Sequence, residues 1–503
     1  MTETGSRALP AAAGDDPAGE TAPPAGRAAP GRVLAIDLDG TLIRSDMLVE
    51  CFAAAMSAAP LAALGALLGG GGRAGLKARL AALAAPDVAT LPYEPAVLAE
   101  AERARAAGRR VVLVSAADAG LVAAVAAHLG LFDEAHGTTP GHNLKGPRKR
   151  DFLVERFGAG GFDYIGDARA DLAVWQAAHT PITAGAGAGL RRAAEALSPE
   201  ARHLAPAPGA AARALPYIRA MRPHQWLKNL LLLLPAIMAH RLDGAVLGPV
   251  LMAFVAFCLA ASSVYLVNDL LDLAADRAHP RKRRRPFASG AAGLAPGAAL
   301  ALGLGLVAWG IALFLPLAFG LCLLAYGGLT LAYSLVLKRR LMIDIVTLAG
   351  LFTLRILAGG AAAAIAISPW MIGFSGFLFL ALAAVKRQAE LADAARRGLE
   401  AVAGRAWRSE DLPVATMVAV AAAHAAVLVL ALYIASPDVQ ALYRRPMMLW
   451  AACPVLLYWL VRIVLIGQRG EMHDDPLVFA IRDGTSLFCA CLLASIGLAA
   501  GPV

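Results

Sequence analysis

The sequence predicts two folds in one chain: an N-terminal α/β (Rossmannoid) domain with a small helical cap, then an all-α integral membrane bundle of nine transmembrane helices. Three observations predict it. Only 17% of the 503 residues are charged and the mean hydropathy is +0.61, whereas a soluble chain carries about a quarter charged. The hydrophobicity is uneven, with ordinary charge density over 1–220 and apolar runs separated by short charged loops over 228–503. Within the first part, short aliphatic runs ending in Asp or Ser alternate with helical stretches, the pattern of a doubly wound parallel sheet.

Residues 1–30 are rich in Ala, Pro and Gly and lack a continuous apolar core, which predicts a disordered tail and not a signal peptide. The soluble domain is expected over 31–185, a linker and juxtamembrane segment over 186–220, and the membrane domain over 221–503. The six cysteines show no paired-ligand spacing and read as small buried hydrophobes. The net charge of +9 is read through membrane topology, so no nucleic-acid partner is called for.

In the soluble domain, "RVLAIDLDGTLIRSD" (32–46) is a strand ending in Asp37-Leu38-Asp39-Gly40-Thr41. "RRVVLVSAAD" (109–118) is a second strand ending in Ser115, and "FDYIGDARADLAVW" (162–175) a third, ending in Asp167 with Asp171 four residues on. The apolar segment within 48–95 is too short between breakers to span a bilayer comfortably and predicts a helical cap. Carboxylates and a hydroxyl at the carboxyl ends of strands, with a lysine from "NLKGPRKRDFL", make a phosphoryl-transfer set. One Asp attacks phosphorus, a second protonates the leaving oxygen, Ser and Lys hold the phosphate, and the last acidic pair completes a magnesium site.

These four motifs in this order resemble the haloacid dehalogenase-like (HAD) phosphatase superfamily. The resemblance implies Asp37 as nucleophile, Asp39 as general acid/base and Ser115 as phosphate ligand. It implies Asp167 as a magnesium ligand supported by Asp171, with Asp37 and Asp39 completing the metal site. The third-motif lysine is Lys149, which opens a helix as the motif prefers, or the nearby Lys145.

Nine apolar segments follow, near 228–242, 246–267, 293–315, 317–337, 342–366, 370–385, 413–435, 447–467 and 484–503. With the soluble domain inside the cell, the loops holding "RKRRR" (281–285), "KRR" (338–340), 386–408 and 469–483 all fall inside. Arg444-Arg445 is the exception. The positive-inside rule favours this orientation, in the inner (cytoplasmic) membrane.

Asp269, Asp272 and Asp276 fall at i, i+3 and i+7, one helix face, with Asn268 beside the first. Boundary carboxylates this close repel unless a cation lies between them. Magnesium prefers few protein oxygens and a substrate diphosphate, and the "RKRRR" run supplies phosphate ligands. Taken alone, that run also fits a positive-inside anchor.

The pattern N-D-x-x-D-x-x-x-D followed by K-R-x-R-P resembles the UbiA superfamily of intramembrane prenyltransferases, a bundle of nine transmembrane helices. Ordinary members carry a second aspartate-rich motif after the fourth helix, where this chain has Asp344 as its only acid. "MRPHQWLKN", the Lys338/Asp344/Arg355 set, "SPW", "KRQAEL" and "HDDPLVFAIRD" resemble the decaprenyl-phosphate phosphoribosyltransferase branch. That resemblance implies phosphoribosyl pyrophosphate (PRPP) and a polyprenyl phosphate as substrates, and magnesium on Asp269, Asp272 and Asp276. Lys228, Lys282, Arg283 and Arg285 are expected to grip phosphates, and Lys386 and Arg387 to orient the prenyl phosphate. Arg355 is expected to pair with Asp344 or to meet a substrate or another helix. A phosphatase on the same side would then remove the 5-phosphate from the lipid-linked ribose. The alternative is transfer of a prenyl group from a prenyl diphosphate to an aromatic acceptor, with an independent or regulatory phosphatase-like domain.

Overall fold

The computed structural model describes residues 31–70, 72–139, 143–205, 209–402, 405–472 and 475–501. The tail expected over 1–30 lies outside the described residues, as do His473 and Asp474 of the last motif.

Six parallel strands form one sheet in the order β3-β2-β1-β4-β5-β6. They are β1 (Val33–Ile36), β2 (Val111–Asp118), β3 (Glu134–Thr138), β4 (Phe162–Gly166), β5 (Pro181–Ala184) and β6 (Arg202–Ala205). β1 and β4 are buried along their whole length, as strands of a parallel sheet covered on both faces must be. The chain runs outward through β2 and β3, then returns past β1 to β4. The carboxyl ends of β1 and β4 therefore flank the switch point where ligands of such sheets bind. The sheet continues beyond residue 185: β6 pairs with β5 inside the stretch expected as linker.

Between β1 and β2 lie four helices, α1 (Met47–Ala58), α2 (Pro60–Leu68), α3 (Gly72–Leu83) and α4 (Pro95–Ala106). Asp46 caps α1 by accepting from the amides of Leu48 and Val49, and Pro60 opens α2 where its missing N–H costs nothing.

Among the described residues the second half contains seven helices long and apolar enough to cross a membrane: Gly244–Leu271, Leu294–Ala312, Leu317–Leu335, Ile343–Ala363, Pro369–Arg396, Ser409–Ile434 and Pro446–Gln468. The count reaches eight if Pro476–Arg482 and Gly484–Ala500, bent by 84°, form one broken span, against the nine expected. The first expected span, 228–242, is instead a 3-10 stretch, Pro223–Leu233, followed by the short helix Leu234–Met238. Its leucines are apolar enough, but the run is shorter than a bilayer requires and carries Pro235. The bend in the last pair lies at Asp483, which accepts from the amide of Ser486 at 2.8 Å and so starts a new helix. Small residues let helices approach closely: Ala415, Ala419, Ala422 and Ala426 are the buried stripe of Ser409–Ile434. Leu313, Phe314 and Leu317 are exposed apolar side chains on the outside of the bundle.

The two halves are in contact. Val49 and Ala53 of α1 pack on a cluster containing Ala220, Leu266, Leu273 and Phe287. Beside them, buried Glu50 receives both terminal nitrogens of Arg277 at 2.8 Å.

Candidate active sites

Two cavities hold many of the polar side chains singled out by sequence. The first, about 750 Å³, opens at the carboxyl edge of the sheet and is lined by Asp37, Asp39, Lys77, Lys145, Lys149, Asp167 and Asp171 among others. Asp37 follows β1 directly and Asp167 follows β4, so the strand ends set their spacing. Lys149 Nζ lies 2.8 Å from Asp37 Oδ1 and donates to Tyr164 Oη at 2.8 Å. Tyr164 in turn donates to Asp171 Oδ1 at 2.9 Å, and the amides of Asp167 and Ala168 donate to Asp171 Oδ2. Thr41 Oγ1 donates to Asp167 Oδ1 at 3.2 Å. Lys149 is thus the lysine on Asp37, while Lys145 lines the same cavity further out.

Ser115 departs from its expected role. It is fully buried, accepts from the amide of Ala117 at 3.0 Å, and does not line the cavity. Lys77 of α3 does, donating to the carbonyl of Ala116. Its contribution was invisible in sequence because nothing in the helix α3 marks one lysine as facing the sheet.

Gly40 (φ +75°) is required where it stands, since a Cβ there would lie 2.3 Å from Asp167 Oδ2. Burial pushes the Asp37 carboxyl up, with Lys149 opposing and Asp171 adding to the rise. Asp39 is pushed up to about 7 by burial and by Asp46. Asp167 is also pushed up to about 7, by burial and by Asp37 and Asp171. Among the described residues, Asp37, Asp167 and Asp171 are the one acidic group whose ligand atoms all lie within 4.8 Å of each other. Crowded, buried carboxylates of hard oxygen donors fit a magnesium ion. Asp39 is outside that group and accepts from the amide of Met47 at 2.8 Å.

The second cavity, about 730 Å³, lies among the helices of the membrane half. Its lining includes the expected Lys228, Asn268, Arg355 and Lys386. It also includes Arg281 of the RKRRR run, together with Arg222, Arg396 and Arg405, which sequence reasoning missed, and the acids Glu390, Asp393 and Asp475. Lys228 and Lys386 both reach Asp475 Oδ2, at 2.8 and 3.0 Å. Among the described residues Arg355 has only neutral hydrogen-bond partners: Asn229 Oδ1 at 3.0 Å, Tyr326 Oη at 3.2 Å and the Leu351 carbonyl. Its guanidinium lies 4.8 Å from the Tyr326 ring centroid. Asn268 Oδ1 is buried without a hydrogen-bond partner among the described residues.

Several expected site residues lie elsewhere. The helix carrying the acidic triplet ends at Leu271 and resumes at Leu273, so the three carboxylates do not share one continuous helix face. Arg285 Nη1 bridges Asp269 and Asp276, at 3.2 and 2.7 Å, and Arg222 Nη2 is 2.6 Å from Asp269. Asp272 turns away to Lys338 at 3.3 Å. The triplet therefore does not form a three-carboxylate metal group here. Asp269 and the unpartnered Asn268 oxygen remain as hard donors that fit a cation beside the cavity. Lys282 and Arg283 are exposed on a 3-10 turn and do not line the cavity.

Asp344 and Arg387 are fully buried against each other at 2.7 Å, so Asp344 is the partner of Arg387 and not of Arg355. Trp407 Nε1 donates to both Asp344 oxygens at 3.0 Å. Arg405 Nε meets Glu390 at 3.2 Å and Arg405 Nη1 donates to Tyr333 at 2.9 Å, closing one wall.

Residues 230–492 match the model of the UbiA prenyltransferase family. The chain is 38% identical to the uncharacterized protein y4nM of Sinorhizobium fredii, over 92% of this chain and 90% of that one. It is 36% identical to the nodulation protein NoeC of Azorhizobium caulinodans, over 57% of this chain and 92% of NoeC. It is also 42% identical to decaprenyl-phosphate phosphoribosyltransferase of Mycolicibacterium smegmatis, over 36% of this chain and 58% of that enzyme.

Proposed function

The chain belongs to the UbiA prenyltransferase family, and from that premise we propose a bifunctional enzyme of the inner membrane. The membrane half transfers 5-phosphoribose from PRPP to a polyprenyl monophosphate, and the N-terminal half hydrolyses the 5-phosphate of the lipid-linked product. Both sites face the cytoplasm, the side to which the basic loops point. The observation that carries this reading is the second cavity, where Lys228, Lys386 and Arg355 converge with a single shared carboxylate, Asp475, among them. Such a surplus of cations around one cavity fits two phosphorylated ligands better than one prenyl chain and a neutral ring.

In the transfer, an oxygen of the prenyl phosphate forms a bond to the anomeric carbon of ribose as the bond from that carbon to the diphosphate oxygen breaks. Pyrophosphate leaves with that electron pair. Lys228, Lys386 and Arg355 bind and orient the phosphates, and Asn268 and Asp269 would hold magnesium, which supplies charge neutralisation for the leaving diphosphate.

In the hydrolysis, the Asp37 carboxylate forms a bond to phosphorus and the ester oxygen leaves with the proton of Asp39. Water then attacks the aspartyl phosphate and gives its proton to Asp39, releasing inorganic phosphate. The raised affinity of Asp39 for its proton suits the first of these steps. Lys149 steadies Asp37, and Asp37, Asp167 and Asp171 would hold magnesium, which shields the phosphate's charge.

The test is incubation of the purified protein with magnesium, ribose-labelled PRPP and a polyprenyl monophosphate, with label followed into lipid by mass. Wild type should give lipid-linked ribose, Asp37→Asn lipid-linked phosphoribose, and Arg355→Gln little of either. Absence of label in lipid, with a prenyl diphosphate reacting with an aromatic acceptor, would replace this reading by aromatic prenyl transfer.

A further inference from the structure

The loop from Arg277 to Ala291 touches both cavities. Arg281 lines the membrane-half cavity, and Arg285 holds Asp269 and Asp276. Gly290 and Ala291, a few residues on, line the N-terminal cavity. One buried guanidinium ties the loop down. Arg277 gives both terminal nitrogens to Glu50 of α1 at 2.8 Å and its Nε to the carbonyl of Ala288 at 3.2 Å, so it holds α1 and both ends of the loop together. The Arg277 and Glu50 side chains are 5% and 1% exposed. At Gly290 (φ +71°) the approach is too close for a side chain: a Cβ would lie 2.8 Å from Pro92 Cβ and 2.9 Å from Arg44 Cβ.

The N-terminal cavity is chemically lopsided. Its charged lining residues, Asp37, Asp39, Lys77, Lys145 and Lys149 among them, all come from the N-terminal half. The lining residues that follow β6 in the chain, Ala212, Pro216, Gly290 and Ala291, are small and carry no charge. A phosphate belongs on the first side, and the body that bears it on the second.

We propose that the N-terminal cavity is a two-part site, with reacting groups from the sheet domain and the carrier-facing wall from the segments that follow β6, and that Glu50 is the positioning residue that sets this wall through Arg277. The ligand class is a phosphomonoester on a carrier held at the membrane surface. This rests on the phosphatase reading above. It adds that the site discriminates carriers by a wall its own fold does not supply.

The test uses the full chain in detergent with magnesium and two substrates, lipid-linked 5-phosphoribose and the small ester p-nitrophenyl phosphate. Glu50→Gln is expected to raise KM for the lipid substrate about tenfold or more, with kcat/KM for p-nitrophenyl phosphate within about twofold of wild type. Glu50→Gln/Arg277→Gln, which keeps two neutral hydrogen-bonding partners, is expected to recover most of the lipid KM. Equal losses on both substrates, or none on either, would overturn the proposal. Hydrogen exchange in the same variants gives a readout besides turnover. Exchange over 47–58 and 285–293 should quicken together in Glu50→Gln, and unchanged exchange in both stretches would also overturn it. A wild type that hydrolyses p-nitrophenyl phosphate but not the lipid substrate would remove the substrate assignment made above, and the exchange result would then decide the two-part site alone.

Discussion

Arg387 and Asp344 hold each other at 2.7 Å where neither side chain reaches solvent. A pair this deep is costly to break because the surviving Arg387 keeps only Glu390 among the described acids and has no water to turn to. Asp344→Ala is expected to destabilise the bundle by about 3–5 kcal/mol, seen as loss of monodisperse protein in detergent and a lower melting point. Asp344→Leu/Arg387→Met should recover most of that loss. A large rise in KM for either substrate with unchanged stability would instead mean that Arg387 handles phosphate.

Arg355 is the opposite case, a buried cation whose partners are an amide oxygen, a phenol and a carbonyl. Replacing it relieves a desolvated charge while removing a phosphate ligand. Arg355→Gln should therefore leave the melting point unchanged or raised, and cut kcat/KM for transfer by about 10²-fold. Single-turnover transfer assays on the two proteins check this.

Asp475 pairs with both Lys228 and Lys386, and against the upward push of burial those two lysines hold its carboxyl well below the usual range. Asp475→Asn leaves both ammonium groups facing the cavity. Inorganic pyrophosphate should then bind about tenfold more tightly, measured by titration calorimetry, at some cost in thermal stability. Weaker binding would mean that Asp475 assists the anion, for example through a cation of its own.

Asp167 illustrates the sign of the pH dependence in the first cavity. Its folded-state carboxyl is pushed from 3.8 to about 7, so ionising it costs the folded state. That cost is absent below the unfolded value and grows as pH rises through the window up to about 7. In metal-free protein, Asp167→Asn should raise the melting transition of the N-terminal half by roughly 3–5 °C at pH 8 and leave it unchanged near pH 4. Magnesium should stabilise wild type more than the variant.

Local chemistry explains what could be read from sequence. β1 and β4 were legible because "VLAI" and "FDYIG" are apolar runs that end on Asp37 and Asp167. β6 was not, because "RHLA" offers one large aliphatic side chain, Leu204, to the core. Residues 228–242 match a span in hydropathy but not in backbone, since Pro223 and Pro235 bracket turns too short to cross. The partner of Asp344 was out of reach for a different reason. Arg387 belongs to the next helix, Pro369–Arg396, and sequence spacing reports only neighbours along one helix. The acidic triplet failed similarly: its i, i+3, i+7 spacing implies a shared face only on an unbroken helix, and this one stops at Leu271.

The Glu50–Arg277 contact also governs how the protein can be taken apart. A chain divided between β6 and Pro223 would separate the carboxylate from the guanidinium, leaving each stranded in an apolar patch built for the pair. Val49 and Ala53 would be bared on one fragment, Leu273 and Phe287 on the other. Neither piece is then a faithful miniature of the whole, and fragments prepared for separate assay need Glu50→Gln and Arg277→Gln built in to remain soluble.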